Sequence, residues 1–152
     1  MESRGKTRIL VVEDNPSDVV LLRWALANAE LDCELIVMED GGEALAFVQQ
    51  GGKDTVISMP DLAILDLNLP SYDGLEILQA MRASRIFKDL NVAILSSATS
   101  PGKRTKLDAL GIARYIEKPF DLNGILEIGF VVKDLLESDK VRRAYGLLAA
   151  AT

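Results

Sequence analysis

The sequence predicts a doubly wound α/β fold, a five-stranded parallel sheet flanked by five helices, and three observations carry that expectation. Ile9-Leu10-Val11-Val12, Leu62-Ala63-Ile64-Leu65 and Val92-Ala93-Ile94-Leu95 are unbroken apolar runs, as expected of strands covered on both faces. Segments with helical spacing alternate with these runs, so right-handed crossovers return each strand parallel to the last. The strands also close on reactive groups: Glu13-Asp14, Asp66, Ser96-Ser97 and Lys118-Pro119. In open sheets of this class ligands bind outside the carboxyl ends of the strands, where the strand order reverses. Three acids, a hydroxyl and a lysine therefore share one crevice.

The elements follow in order. After the first strand, Asn15-Pro16-Ser17-Asp18 is a cap-and-proline helix start. That helix runs through Trp24 to about Ala29, with Val19, Leu22, Leu26 and Ala29 at core spacing. Val20, Leu21 and Trp24 form a second apolar stripe on it, read first as core packing and second as a docking surface. Glu34 to Met38 makes a second strand, and Asp40-Gly41-Gly42 turns into a helix over Glu43 to Gln50 that Gly51-Gly52 ends. Lys53 to Asp61 is a polar connection. Beyond the third strand, the loop Asn68 to Asp73 leads to Gly74, which opens a helix with Leu75, Leu78 and Met81 on one side. After the fourth strand, Ser100-Pro101-Gly102 caps a polar helix over Lys103 to Leu110, which Gly111 terminates. A last strand over Ala113 to Ile116 leads through Pro119 to a long helix from Asp121 to about Ser138.

A chain of 152 residues fits one domain of ordinary size. Its 49% apolar and 26% charged residues match globular chains. A net charge of −6 lacks the basic footprint of a nucleic-acid binder, so proteins and cations are the expected partners and DNA is not. The single Cys33 forms no internal disulfide and reads as an inert, half-buried residue near a strand, which favours a cytoplasmic setting. No run approaches the length of a membrane span, and Met1 to Lys6 lacks the apolar core of a signal peptide.

Glu13, Asp14 and Asp66, gathered together, repel one another unless a cation intervenes. Hard carboxylate oxygens without histidine or a usable thiolate point to Mg²⁺, which keeps waters and takes phosphate oxygens into its shell. Lys118 then faces a metal-bound phosphoryl group as a compact positive charge, and Ser96 can hydrogen-bond another of its oxygens. With its charge screened, Asp66 becomes a nucleophile toward phosphorus and forms an acyl phosphate. The sequence has no histidine, so the phosphoryl group arrives from another molecule.

Glu13-Asp14, Asp66 within Leu65-Asp66-Leu67-Asn68-Leu69-Pro70, Asp73-Gly74, Ser96, Tyr115 and Lys118-Pro119-Phe120 together resemble the receiver domains of two-component response regulators, over about Arg8 to Leu136. The resemblance implies the flavodoxin-like receiver fold of the chemotaxis regulators. It implies Asp66 as phospho-acceptor, and Glu13, Asp14, Asp66 and the backbone carbonyl of Asn68 around Mg²⁺. Lys118 would pair with the phosphate, Ser96 and Tyr115 would form the switch, and a cis peptide at Lys118-Pro119 would aim the lysine. Two departures from the family pattern are mild: Ser96 stands where threonine is at least as usual, and Ser97 where alanine or another small residue is general. The donor would be a histidine kinase, for which the stripe around Trp24 is the candidate docking face. The wording Val12-Glu13-Asp14-Asn15-Pro16-Ser17-Asp18 with Asp66-Leu67-Asn68-Leu69-Pro70 is similar to stand-alone regulators of bacterial phytochrome kinases. The expected role is a single-domain phospho-acceptor that assists its own phosphorylation and dephosphorylation. The enzyme-class rival is a small phosphohydrolase using an aspartyl phosphate, but haloacid-dehalogenase-like enzymes need a second acid where this chain has Asn68. A pseudo-receiver that only binds proteins is the third alternative.

Residues 1–138 form the expected domain and 139–152 an extension. On the last helix, Ile128, Val131 and Leu135 lie off the stripe Leu122, Ile125, Leu126, Val132 and Leu136, so it is apolar on two sides. Val141, Tyr145 and Leu148 recur at helical spacing before Ala149-Ala150-Ala151. The expectation is an arm that grips a second copy of the chain.

Overall fold

The computed structural model describes residues 6–51 and 59–151, so most of the Lys53 to Asp61 connection lies outside the described residues. Strands and helices alternate: β1 (Thr7–Val12), α1 (Pro16–Asn28), β2 (Cys33–Met38), α2 (Gly41–Gln49), β3 (Leu62–Leu65), α3 (Gly74–Ala83), β4 (Val92–Ser96), α4 (Pro101–Ala109), β5 (Arg114–Glu117) and α5 (Leu122–Ala151). The strands form one parallel sheet in the order β2-β1-β3-β4-β5. The order reverses at β1, so the crevice expected of such sheets opens between the ends of β1 and β3.

The pleat divides the core between two faces. Ile9 and Val11 of β1 point to one side, where they pack with Leu22 and Leu26 of α1 and Ile128, Val132 and Leu136 of α5. Leu10 and Val12 point to the other and join Phe47 of α2 with Ile77, Leu78 and Met81 of α3. The apolar runs read from the sequence are these doubly covered strands. The α1–α5 contact is close because Gly129 lies against α1, where a Cβ would come 2.1 Å from the carbonyl oxygen of Ala25. Helix α4 is anchored by Leu107 alone among its buried residues, in keeping with its polar sequence.

The structure corrects several expectations. Gly41 and Gly42 are the first residues of α2, not a turn before it, because the Asp40 side chain accepts from Gly42 N–H and caps the helix. Gly41 fits there because a Cβ would lie 2.6 Å from the Tyr72 carbonyl. The Val20–Leu21–Trp24 stripe is not core: Val20 is 63% and Trp24 44% exposed, since the α1 face packed on the sheet is taken by Val19, Leu22, Ala25 and Leu26. On α5 the buried stripe includes Ile128 with Val132 and Leu136, whereas Leu122 is exposed at the helix start. That helix continues past Ser138 to Ala151 without a break. No helix among the described residues is long and apolar enough to cross a membrane.

Candidate phosphoryl-acceptor site

Sheet register assembles the pocket. Val12 pairs with Leu65, and Asp66 N–H donates to the Val12 carbonyl at 3.0 Å, so Glu13 and Asp66 leave adjacent strands side by side. Ser96 ends β4, and Lys118 N–H donates to its carbonyl at 2.8 Å, carrying the β4–β5 ladder one residue further. Beneath the acid, α3 begins at Gly74, where a Cβ would come 2.4 Å from the Asp66 carbonyl oxygen. Only glycine lets the helix start this close.

Both oxygens of the buried Asp66 carboxylate are engaged. Oδ1 accepts from the Ser96 hydroxyl at 2.7 Å and Asn68 N–H at 3.0 Å, and Oδ2 accepts from Lys118 Nζ at 2.9 Å. The Ser96 hydroxyl in turn accepts from Leu67 N–H and Asn68 Nδ2, each at 3.3 Å. Burial alone pushes Asp66 up. The donors from Lys118, Asn68 and Ser96 outweigh it and hold the carboxyl below its usual value, so it is anionic at neutral pH.

Lys118 is shared. Its ammonium lies 2.7 Å from Glu13 Oε1, 2.8 Å from Asp18 Oδ2 and 2.9 Å from Asp66 Oδ2. Burial opposes its charge, but these three partners prevail and raise its pKa above the ordinary lysine value. Glu13 behaves oppositely: burial, reinforced by the Asp66 charge and only partly offset by Lys118, pushes it up to about 7. The exposed Asp14 completes the acid set, and carboxylate oxygens of Glu13, Asp14 and Asp66 lie within 4.8 Å of one another. Hard oxygens so grouped, with no nitrogen or sulfur ligand among them, suit a divalent cation of the magnesium type.

Of the expected site residues, Glu13, Asp14, Asp66, Asn68, Ser96 and Lys118 are brought together. Ser96, and not the exposed Ser97, reaches Asp66. Tyr115 stays outside the pocket: its hydroxyl donates to the Ser97 carbonyl at 2.5 Å, and the Arg104 guanidinium lies 4.6 Å from its ring centroid. The Lys118–Pro119 peptide is trans, because the described residues contain no cis bond, and the β4–β5 ladder brings the lysine to the pocket by itself. Asp18 escaped the sequence reading, which saw it only as part of a helix start. Its signal is position, in the first turn of α1 and four residues after Asp14.

Comparison with known proteins agrees with this geometry. A family profile described as the response regulator receiver domain matches residues 9–128. Response regulator Rcp1 of Synechocystis is 32% identical over 127 residues, covering 84% of this chain and 86% of that protein. The crystal structure of the phosphorylated cyanobacterial phytochrome response regulator RcpA superposes with a TM-score of 0.78 at 32% identity, over 89% of this chain and 96% of that one. The Mn²⁺-bound form of Rcp1 does so with a TM-score of 0.72 at 32% identity, over 81% and 88%. The bacteriophytochrome response regulator RtBRR gives 0.67 at 31% identity, over 80% and 75%. With the acids, the hydroxyl and the lysine at the ends of a sheet of this order, the chain belongs to the response regulator receiver domain family, the phospho-acceptor signalling module of two-component systems.

Proposed function

We propose that this protein accepts a phosphoryl group on Asp66 from a histidine kinase, a bacterial phytochrome kinase being the reading its relatives support. One observation carries the proposal: the Asp66 carboxylate is kept anionic by Lys118, Ser96 and Asn68 while it stands beside Glu13 and Asp14. Glu13, Asp14, Asp66 and the Asn68 carbonyl would hold Mg²⁺, which neutralises phosphoryl charge when bound. An Asp66 oxygen attacks phosphorus, the oxygen–phosphorus bond forms as the nitrogen–phosphorus bond of the donor breaks, and the leaving imidazole takes up a proton. Lys118 then releases a carboxylate and pairs with a phosphoryl oxygen, and Ser96 turns its hydroxyl to another.

Ser96 and Tyr115 would relay the event. Once Ser96 leaves Asp66 Oδ1, the Ser97 carbonyl that accepts from Tyr115 is free to move, and with it the ring under Arg104 on α4. The second copy expected on α5 is supported by Phe130, Val141 and Tyr145, exposed along one uninterrupted helix. In this reading residues 1–138 are the receiver and 139–152 the arm.

Incubation with acetyl phosphate and Mg²⁺ tests the acceptor role. Intact mass should show one phosphoryl adduct per chain, absent in Asp66→Asn, and multiple-turnover release of phosphate from an ester panel would favour the hydrolase instead.

A further inference from the structure

The sharing of Lys118 has a consequence for how the pocket loads. An ammonium has three donor hydrogens, and here three carboxylates take them: Glu13 at 2.7 Å, Asp18 at 2.8 Å and Asp66 at 2.9 Å. Two of these, Glu13 and Asp66, belong to the acid cluster, and Asp18 does not. Lys118 therefore competes with any cation for Glu13 and Asp66, while Asp18 offers the ammonium a partner outside the cluster. Asp18 is built to stay in place. Asn15 caps α1 through Ser17 N–H at 3.0 Å, and Asp18 N–H donates to the Asn15 carbonyl at 3.1 Å, so its backbone belongs to the first helical turn.

Resting on the reading of the acid cluster as a divalent-cation site, we propose that Asp18 is a positioning residue that acts through Lys118, parking the ammonium so that a cation can take Glu13 and Asp66. When the cation enters, its charge repels the ammonium. Asp18 retains the lysine at the pocket edge, within reach of an incoming phosphoryl oxygen. Without Asp18 the ammonium pairs more tightly with the two cluster acids and obstructs the cation.

Titration with Mn²⁺, free ion being followed by electron paramagnetic resonance, tests this without phosphorylation. Asp18→Asn should weaken Mn²⁺ binding by about three- to tenfold, the scale of a partly buried charge pair. Asp18→Glu should restore most of the loss. In a Lys118→Met background, or Lys118→Gln if the first does not fold, Asp18→Asn should change affinity by less than about twofold, since coupled residues fail to add. An Asp18→Asn variant equal to the parent would overturn the proposal. So would an equal loss in the lysine-free background, which would mean that Asp18 acts on the ion directly. Failure of the parent chain to bind Mn²⁺ at all would instead remove the site reading, and this inference with it.

Discussion

At the scale of single residues, the pocket is a contest over one lysine among acids whose protons are held unequally. Glu13 titrates at about 7 in the fold against an ordinary 4.5, so between those values the folded chain holds a proton that the unfolded chain has lost. That uptake stabilises the cation-free protein fully below about 4.5, and the benefit disappears as pH rises through about 7. Asp66 contributes the other way, with stability present above its ordinary 3.8 and lost only at lower pH, outside this window. Urea unfolding between pH 5 and 8 without divalent ions should therefore show declining stability that flattens in Glu13→Gln. A parallel decline in both proteins would contradict the assignment. Most of this site was legible in the sequence because strand ends concentrate chemistry: Asp66, Ser96 and Lys118 each follow an extended run. Asp18 was not legible, since its link to Lys118 spans 100 residues and depends on how the sheet brings the start of α1 to the residue after β5.

At the scale of elements, a side chain remote from the pocket ties α3 to α4. Arg82, in the last turn of α3, donates to the carbonyls of Leu110 at 2.7 Å, Leu90 at 2.8 Å, Lys88 at 3.1 Å and Gly111 at 3.3 Å. One guanidinium thus satisfies the C-terminal end of α4 and the turn before β4, which the single apolar anchor Leu107 holds weakly. Arg82→Ala should destabilise the fold by ~2–3 kcal/mol in chemical denaturation. Arg82→Lys, lacking the planar fork, should recover less than half of that. At the pocket end of α4, Lys103 pairs at 3.0 Å with Asp73, which also caps α3 through Glu76 N–H at 3.1 Å. Element order and type were readable because apolar runs and helical spacing are local properties. The stripes of α1 and α5 were misjudged at their edges because periodicity shows an apolar face without showing what covers it. Val20 and Leu22 read alike, yet only Leu22 meets the sheet.

At the scale of the molecule, the two ends of the sheet differ. The carboxyl ends carry the acids, while a cavity of about 450 Å³ opens at the other end between Thr7, Asp61 and the α5 residues Leu136, Asp139 and Arg143. The last stretch of α5 leaves the core there, with Val141 and Tyr145 exposed and Asp139 paired to Arg143 at 3.0 Å. Truncation after Ser138 should convert a dimer to a monomer in light scattering, and an unchanged mass would remove the arm. The family profile spans residues 9–128, and α5 runs on to Ala151 without a break at Ser138. Beyond Ser138 helical spacing predicts a helix, which continues to Ala151, whereas what covers Val141 and Tyr145 is a property of an interface and not of local spacing.

The acceptor itself is the centre of the account. Wild-type protein treated with acetyl phosphate and Mg²⁺, reduced with borohydride and mapped by peptide mass spectrometry should carry homoserine at position 66 and nowhere else. Reduction at another acid, or an unmodified Asp66 under conditions that load the cation site, would contradict it.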